Sequence, residues 1–191
     1  MQYAQGEVGR VFVLRIDNGE DFLEAMRLFI ADKGIQCGSV TFLGALMNGR
    51  MVTGPEEPVI PPVPHFVLFE GGWEVFGVGT IYPGEGGPHI HYHASVGRAG
   101  HALTGCLREK ATTYLIIEAI VTEFKNLAGR REFDAKTQMH LPVLGTAEEK
   151  RTEPAGQEKE EPPAKEPEPS KDAYDDLPEG LADMIRDLTR Q

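Results

Sequence analysis

The residues with the most chemistry in this chain lie in one short run, Pro88-His89-Ile90-His91-Tyr92-His93-Ala94. An extended chain alternates its side chains, so His89, His91 and His93 share one face while Ile90, Tyr92 and Ala94 share the other. Neutral imidazoles ligate divalent transition metals, and an i, i+2 pair on a strand offers two nitrogens to one ion. Three imidazoles in a straight row stand progressively further along the strand, so a third ligand comes more naturally from a neighbouring strand or loop. Two residues can supply it. One is Cys106, in Thr104-Gly105-Cys106-Leu107, where the glycine permits close backbone approach, and the other is His101, in the turn-like Gly100-His101-Ala102. The same residue types also suit a half-exposed histidine face and a small core cysteine. His65 and His140 read as surface or packing histidines.

Such donors need a frame. Residues 10–16 read as a strand, Asp17-Asn18-Gly19 turns the chain, and Phe22, Leu23, Met26, Phe29 and Ile30 form one helical stripe that stops at Gly34. Afterwards the signals are almost all extended, at 39–43, 65–70, 74–82, 89–96 and 112–124, with Gly- and Pro-rich breaks between them. Pro55, Pro58, Pro61, Pro62 and Pro64 mark a rigid loop or an edge. One helix against many strands predicts an α+β fold, a largely antiparallel sheet packed around one main helix.

The 191 residues, 40% apolar and 26% charged, suit one domain with a real core. The net charge of −11 is unevenly placed: residues 1–146 hold 12 Lys/Arg against 16 Asp/Glu, and 147–191 hold 7 against 14. A domain at −4 with a tail at −7 lacks the basic run that releases counterions from a phosphate backbone, so charge argues against nucleic acid as a partner. Residues 147–172 are nearly all Glu, Lys, Pro, Ala and Ser, the composition of a disordered, solvated linker. Within 173–191, Leu177, Leu181, Met184, Ile185 and Leu188 recur at helical spacing, which predicts a short amphipathic helix able to dock residues 177–188 on its own domain, another subunit or a protein partner. No stretch approaches the roughly 18–20 apolar residues of a membrane helix. Met1-Gln2-Tyr3-Ala4-Gln5-Gly6-Glu7 also lacks the basic start and apolar core of a secretion signal, so a cytoplasmic location without a membrane partner is expected. Two cysteines, Cys37 and Cys106, fit that reducing compartment better as buried or metal-bound thiols than as a bridge.

The order of a strand at Arg10, a helix, Gly44-Ala45, Gly79-Thr80-Ile81, Gly87-Pro88, His91-x-His93, Gly97, Gly105-Cys106-Leu107 and Glu118 resembles the PPC (plants and prokaryotes conserved) domain, also called the PD1-like DNA-binding domain. The resemblance runs from about Arg10 to Val143. It implies a compact α+β subunit, a homotrimer and, for prokaryotic members, a bound metal, with Zn2+ first among the candidates. Carried over, the family's His-x-His falls on His91 and His93, and its Gly-Gly-His-Leu segment falls on Thr104-Gly105-Cys106-Leu107, where Cys106 replaces the histidine. His91, His93 and Cys106 are therefore the expected metal ligands, with His89 and His101 in reserve. Plant relatives attach a basic AT-hook, and this chain contains no Arg-Gly-Arg-Pro core.

Three protein ligands on a tetrahedral ion leave one position for water or substrate, as in catalytic zinc sites. Glu118 is the candidate acid or base, a lone carboxylate inside Tyr114-Leu115-Ile116-Ile117-Glu118-Ala119-Ile120-Val121, where burial demands a partner. Its alternative is a structural ion pair with Arg10 or Arg15. No phosphate-binding loop, dinucleotide fingerprint or Gly-x-Ser-x-Gly elbow is present, and no reaction class follows from the fold. Three functions remain in contention: a metal-dependent small-molecule protein, a DNA-associated or regulatory trimeric scaffold with structural metal, and an interaction protein acting through its C-terminal helix.

Overall fold

Asp21 fixes where the one helix among the described residues begins. In the computed structural model, which describes residues 1–145, its carboxylate accepts from the Glu24 N–H at 3.0 Å as an N-cap, and its second oxygen accepts from the Ala111 N–H at 3.1 Å. One side chain thus starts helix α1 (Phe22–Lys33) and ties it to the sheet. The helix stops at Gly34, whose φ of +64° is the left-handed conformation that lets its N–H close on the last carbonyls. Phe22, Met26 and Ile30 are fully buried, and Leu23 and Phe29 pack at the margin of the same core.

Among the described residues seven strands flank this helix in sequence: β1 (Glu7–Asp17), β2 (Gly38–Pro55), β3 (Pro64–Gly84), β4 (Gly87–Arg98), β5 (His101–Lys125), β6 (Gly129–Asp134) and β7 (Met139–Leu144). The main sheet is antiparallel in the order β1-β5-β2-β3-β4, and the start of β5 also pairs with β4. The sheet therefore curls back on itself. The expected α+β architecture is present, with three differences, the first being that the strands expected at 65–70 and 74–82 are the single strand β3. The strands at 39–43 and 112–124 are parts of much longer ones, and the β6–β7 ribbon carries only weak alternation, so periodicity did not mark it. Residues 56–63, with Pro58, Pro61 and Pro62, connect β2 to β3 as a loop. The linker expected at 147–172 and the helix expected at 173–191 lie outside the described residues.

The two faces of the sheet differ. Phe12, Leu14 and Ile16 of β1, Val40 and Phe42 of β2, Tyr92, Ala94 and Val96 of β4, and Ile117, Ala119 and Val121 of β5 turn toward α1. Gly77 leaves room for the Phe42 ring, and Gly79 for the Tyr92 ring. The opposite face is also apolar and is not covered by the other described residues. Val13 is 75% exposed and Phe76 68%, and Val11, Leu43, Val78 and Ile120 are exposed beside them. Register places Val13, Ile120, Thr41, Val78 and His93 in one row across the sheet, and Arg15, Glu118, Leu43, Phe76 and Ser95 in the next.

This corrects the expected burial of Glu118, which is exposed. An apolar run in β5 does not imply an enclosed carboxylate when both faces of the strand are apolar and only one is covered. The buried carboxylate is Glu123, held by Arg10 through Nε at 2.8 Å and Nη2 at 2.7 Å, with the Arg10 backbone N–H at 3.1 Å. Those Arg10 hydrogen bonds hold the Glu123 carboxyl down at about 2, below its ordinary 4.5. A depressed carboxylate stabilises the fold above its unfolded value and ceases to do so as pH falls through the folded one. Glu123→Gln should therefore cost about 1–2 kcal/mol at neutral pH. The gap from the unmodified protein should narrow between about pH 4.5 and 2 in denaturant titrations.

Candidate metal centre

The hairpin joining β4 to β5 builds the site. Its two-residue turn, Ala99-Gly100, has φ of +49° and +83°, the geometry that matches strand twist, and sets the register in which His93 faces Cys106. His101, expected in the turn, is the first residue of β5 and pairs with Arg98, far along the hairpin from the other donors. The β4–β5 pairing ends at His93–Cys106, and Cys106 is also opposite Val52 of β2. The donors thus stand at a fork where the strands part. Gly105 makes this possible, because a Cβ there would run into the Val52 carbonyl. Gly105→Ala should cost about 1–3 kcal/mol through backbone displacement, readable as a lower denaturation midpoint.

Among the described residues, His91, His93 and Cys106 bring one ligand atom each to within 4.8 Å of one another. His91 Nε2 and Cys106 Sγ are 2.8 Å apart, and the His91 and His93 rings meet edge to face with centroids 5.0 Å apart. Donors on a tetrahedral zinc, with bonds of about 2.0–2.3 Å, stand roughly 3.3–3.6 Å from each other. The observed separations bracket that spacing, so the three side chains fit such an ion with small rotations. Burial falls from Cys106, which is enclosed, through His91 to exposed His93. His89 shares their face yet is turned away: its Nε2 lies 2.9 Å from the Glu85 carbonyl and its ring is 5.6 Å from that of His140.

Burial, reinforced by the Arg131, Arg108 and His93 charges, holds His91 down at about 4, so its imidazole is neutral with a free lone pair. Burial pushes the Cys106 thiol up, against the opposing pull of Arg108 and Arg131. Both directions favour a neutral pair over the thiolate–imidazolium pair of a cysteine nucleophile. Cys37, the other thiol, is free and buried, with its sulfur 3.8 Å from the Leu127 carbonyl.

The donors line a cleft of about 640 Å³ whose walls include Val52, Pro61, Phe66 and Arg108. A second cavity of about 580 Å³ shares His91 and Arg108 and adds Tyr82, Arg131 and His140. Spacing does not flag Arg131, because it arrives on β6 from outside the main sheet. Its Nη1 donates to the His140 carbonyl at 2.9 Å and its Nη2 to Thr80 Oγ1 at 3.2 Å, and Thr80 lies directly across from His91. Glu118 lines neither cavity and sits in register with Arg15 and Leu43 on the outer sheet face.

A curled antiparallel sheet around one helix, with a His-x-His strand answered by a donor from the next strand, defines a class of small α+β proteins. The chain belongs to the Plants and Prokaryotes Conserved (PCC) domain family, whose model matches residues 3–125. Solved structures share the fold. A metal-containing protein from Archaeoglobus fulgidus is 24% identical with a TM-score of 0.67, the match covering 75% of this chain and 99% of that one. A plant- and prokaryote-conserved protein from Pyrococcus horikoshii is 22% identical at a TM-score of 0.66, covering 76% and 100%. A candidate DNA-binding protein from Bacteroides thetaiotaomicron is 21% identical at 0.62, covering 75% and 98%. No curated protein matches the sequence.

Proposed function

We propose that this chain is a zinc-binding PCC-domain protein in which His91, His93 and Cys106 hold the ion and a fourth position is open to a small ligand. The observation that carries the reading is the convergence of two imidazoles and a thiol within 4.8 Å at the strand fork. A bound zinc would supply Lewis acidity at the open position. The chain's own groups anchor the ion at the closed end through Cys106 and face solvent through His93. The Archaeoglobus fulgidus relative is described as a metal-containing protein, which supports a metal at this site. Protein purified without an affinity tag or chelator should contain close to one zinc per chain by elemental analysis. Metal-free protein that takes up no zinc on titration would overturn the assignment.

The uncovered apolar face supports a homotrimer, the assembly implied by the family, because contiguous exposed patches of this kind mark association surfaces. Since His93 ends a row of that face, the open side of the metal site borders the surface other subunits would cover. No helix among the described residues is long and apolar enough to cross a membrane, and the two free thiols fit a cytoplasmic location. A DNA-associated scaffold is the weaker reading, since Arg50 and Arg130 are paired with Glu109 and Glu132, and Arg98 donates to the Glu70 carbonyl. The remaining arginines of that part of the chain, Arg108 and Arg131, face the clefts around His91.

A further inference from the structure

Two guanidinium groups stand where a metal centre should least want them. Arg108 lines the donor cleft itself, two residues beyond Cys106 on the same strand, and it also lines the neighbouring cavity with Arg131. Among the described residues, neither cavity has an aspartate or glutamate in its wall. The ion pairs among the described residues use Arg10, Arg15, Arg27, Lys33, Arg50 and Arg130, and leave Arg108 and Arg131 without a carboxylate. This occurs in a domain whose net charge is −4, so the local excess of positive charge runs against the composition. Arg131 is held in place by the His140 carbonyl, Thr80 Oγ1 and the Tyr82 ring, while its Nε is buried and has no partner. Positioned, half-buried guanidinium groups without counter-charge are costly unless an anion completes them, and their planar forks suit the oxygens of a carboxylate or phosphate.

We propose that the cleft and the cavity adjoining it at His91 and Arg108 together receive a small organic oxyanion, held by Arg108 from the cleft and Arg131 from the adjoining cavity, with its apolar part against Val52, Pro61 and Phe66. The inference rests on the zinc reading above and names the ligand class of that same site. A dication in the cleft beside Arg108, with Arg131 in the adjoining cavity, sets positive charges against one another, so an anion between them relieves the repulsion. Zinc and anion therefore favour each other's binding by the same factor.

Calorimetry on the full chain, zinc-loaded and metal-free, with inorganic phosphate, acetate and hexanoate as probes, tests this. The zinc-loaded protein should bind phosphate or the carboxylates, and metal-free protein should bind the same probe at least tenfold more weakly. A preference for phosphate over both carboxylates would assign the head group, and a gain from acetate to hexanoate would assign the apolar wall. Arg108→Gln should weaken the anion at least tenfold while zinc affinity stays equal or rises, because a positive charge beside the ion has gone. Arg131→Lys, which keeps the charge and loses the fork, should weaken the anion without loss of zinc. If zinc-loaded protein binds none of the probes at 10 mM, a concentration of roughly the weakest useful affinity, the anion proposal is overturned and the metal assignment stands. Loss of zinc along with the anion in Arg108→Gln would place that arginine in the support of the metal and also overturn it. Failure of the unmodified chain to take up zinc would remove both readings.

Discussion

Replacing Cys106 with alanine is expected to lower zinc affinity by more than about a hundredfold while leaving the protein folded. Structural zinc in small peptides is worth about 10–16 kcal/mol spread over four ligands, so one thiolate accounts for roughly 3 kcal/mol. The fold has little to lose. Cys106 is buried, and removing one sulfur costs about 1 kcal/mol in packing, against a core that runs from α1 through every strand of the main sheet. Competition with a chromophoric chelator reads the affinity, and circular dichroism reads the fold. Cys106→His is the informative companion. It restores a nitrogen donor of the kind the PCC resemblance places there, at a cost of about 1–3 kcal/mol for the larger side chain, and should recover most of the binding. Zinc affinity unchanged in Cys106→Ala would exclude the sulfur as a ligand.

Phe76→Asp is expected to convert the proposed trimer to monomers. Phe76 is 68% exposed in the single chain, with Leu43 beside it in register and Val78, Val13 and Ile120 one row away. Burying a side chain of this size contributes about 1.5–3 kcal/mol in each subunit, and a carboxylate in its place must be desolvated without a partner. Because the core faces the other way, the variant should keep its fold, and light scattering should show the mass fall from three chains to one. If the unmodified protein is itself monomeric at all concentrations, the trimer is wrong. A truncation after residue 146 then asks whether the apolar positions of 177–188 cover the same face, in which case the shortened chain should self-associate.

The helix was legible because its signals are local: Phe22, Met26 and Ile30 recur at helical spacing after a turn and Gly34 ends it, whereas the Asp21 cap emerged only from the structure. The strands were legible as types, less so as lengths. Periodicity tells which residues share a face, whereas pairing partners decide how far a strand continues, and β5 continues for 25 residues because it meets β1, β2 and β4 in turn. Glu118 shows the limit. Alternation cannot say which of two apolar faces the helix will cover, so the carboxylate that needed a partner was Glu123, and Arg10 supplies it.

By itself the sequence determined the donor types, the shared face of His91 and His93, and the glycine that lets Cys106 approach, all of which follow from period-two geometry and the absence of a Cβ. Only the tertiary structure decided that the β4–β5 pairing ends at His93–Cys106, that His89 turns to the Glu85 carbonyl, and that Arg131 comes to lie beside His91 from a different ribbon. Those outcomes depend on long-range register and on where strands part, and no local preference of the chain encodes either.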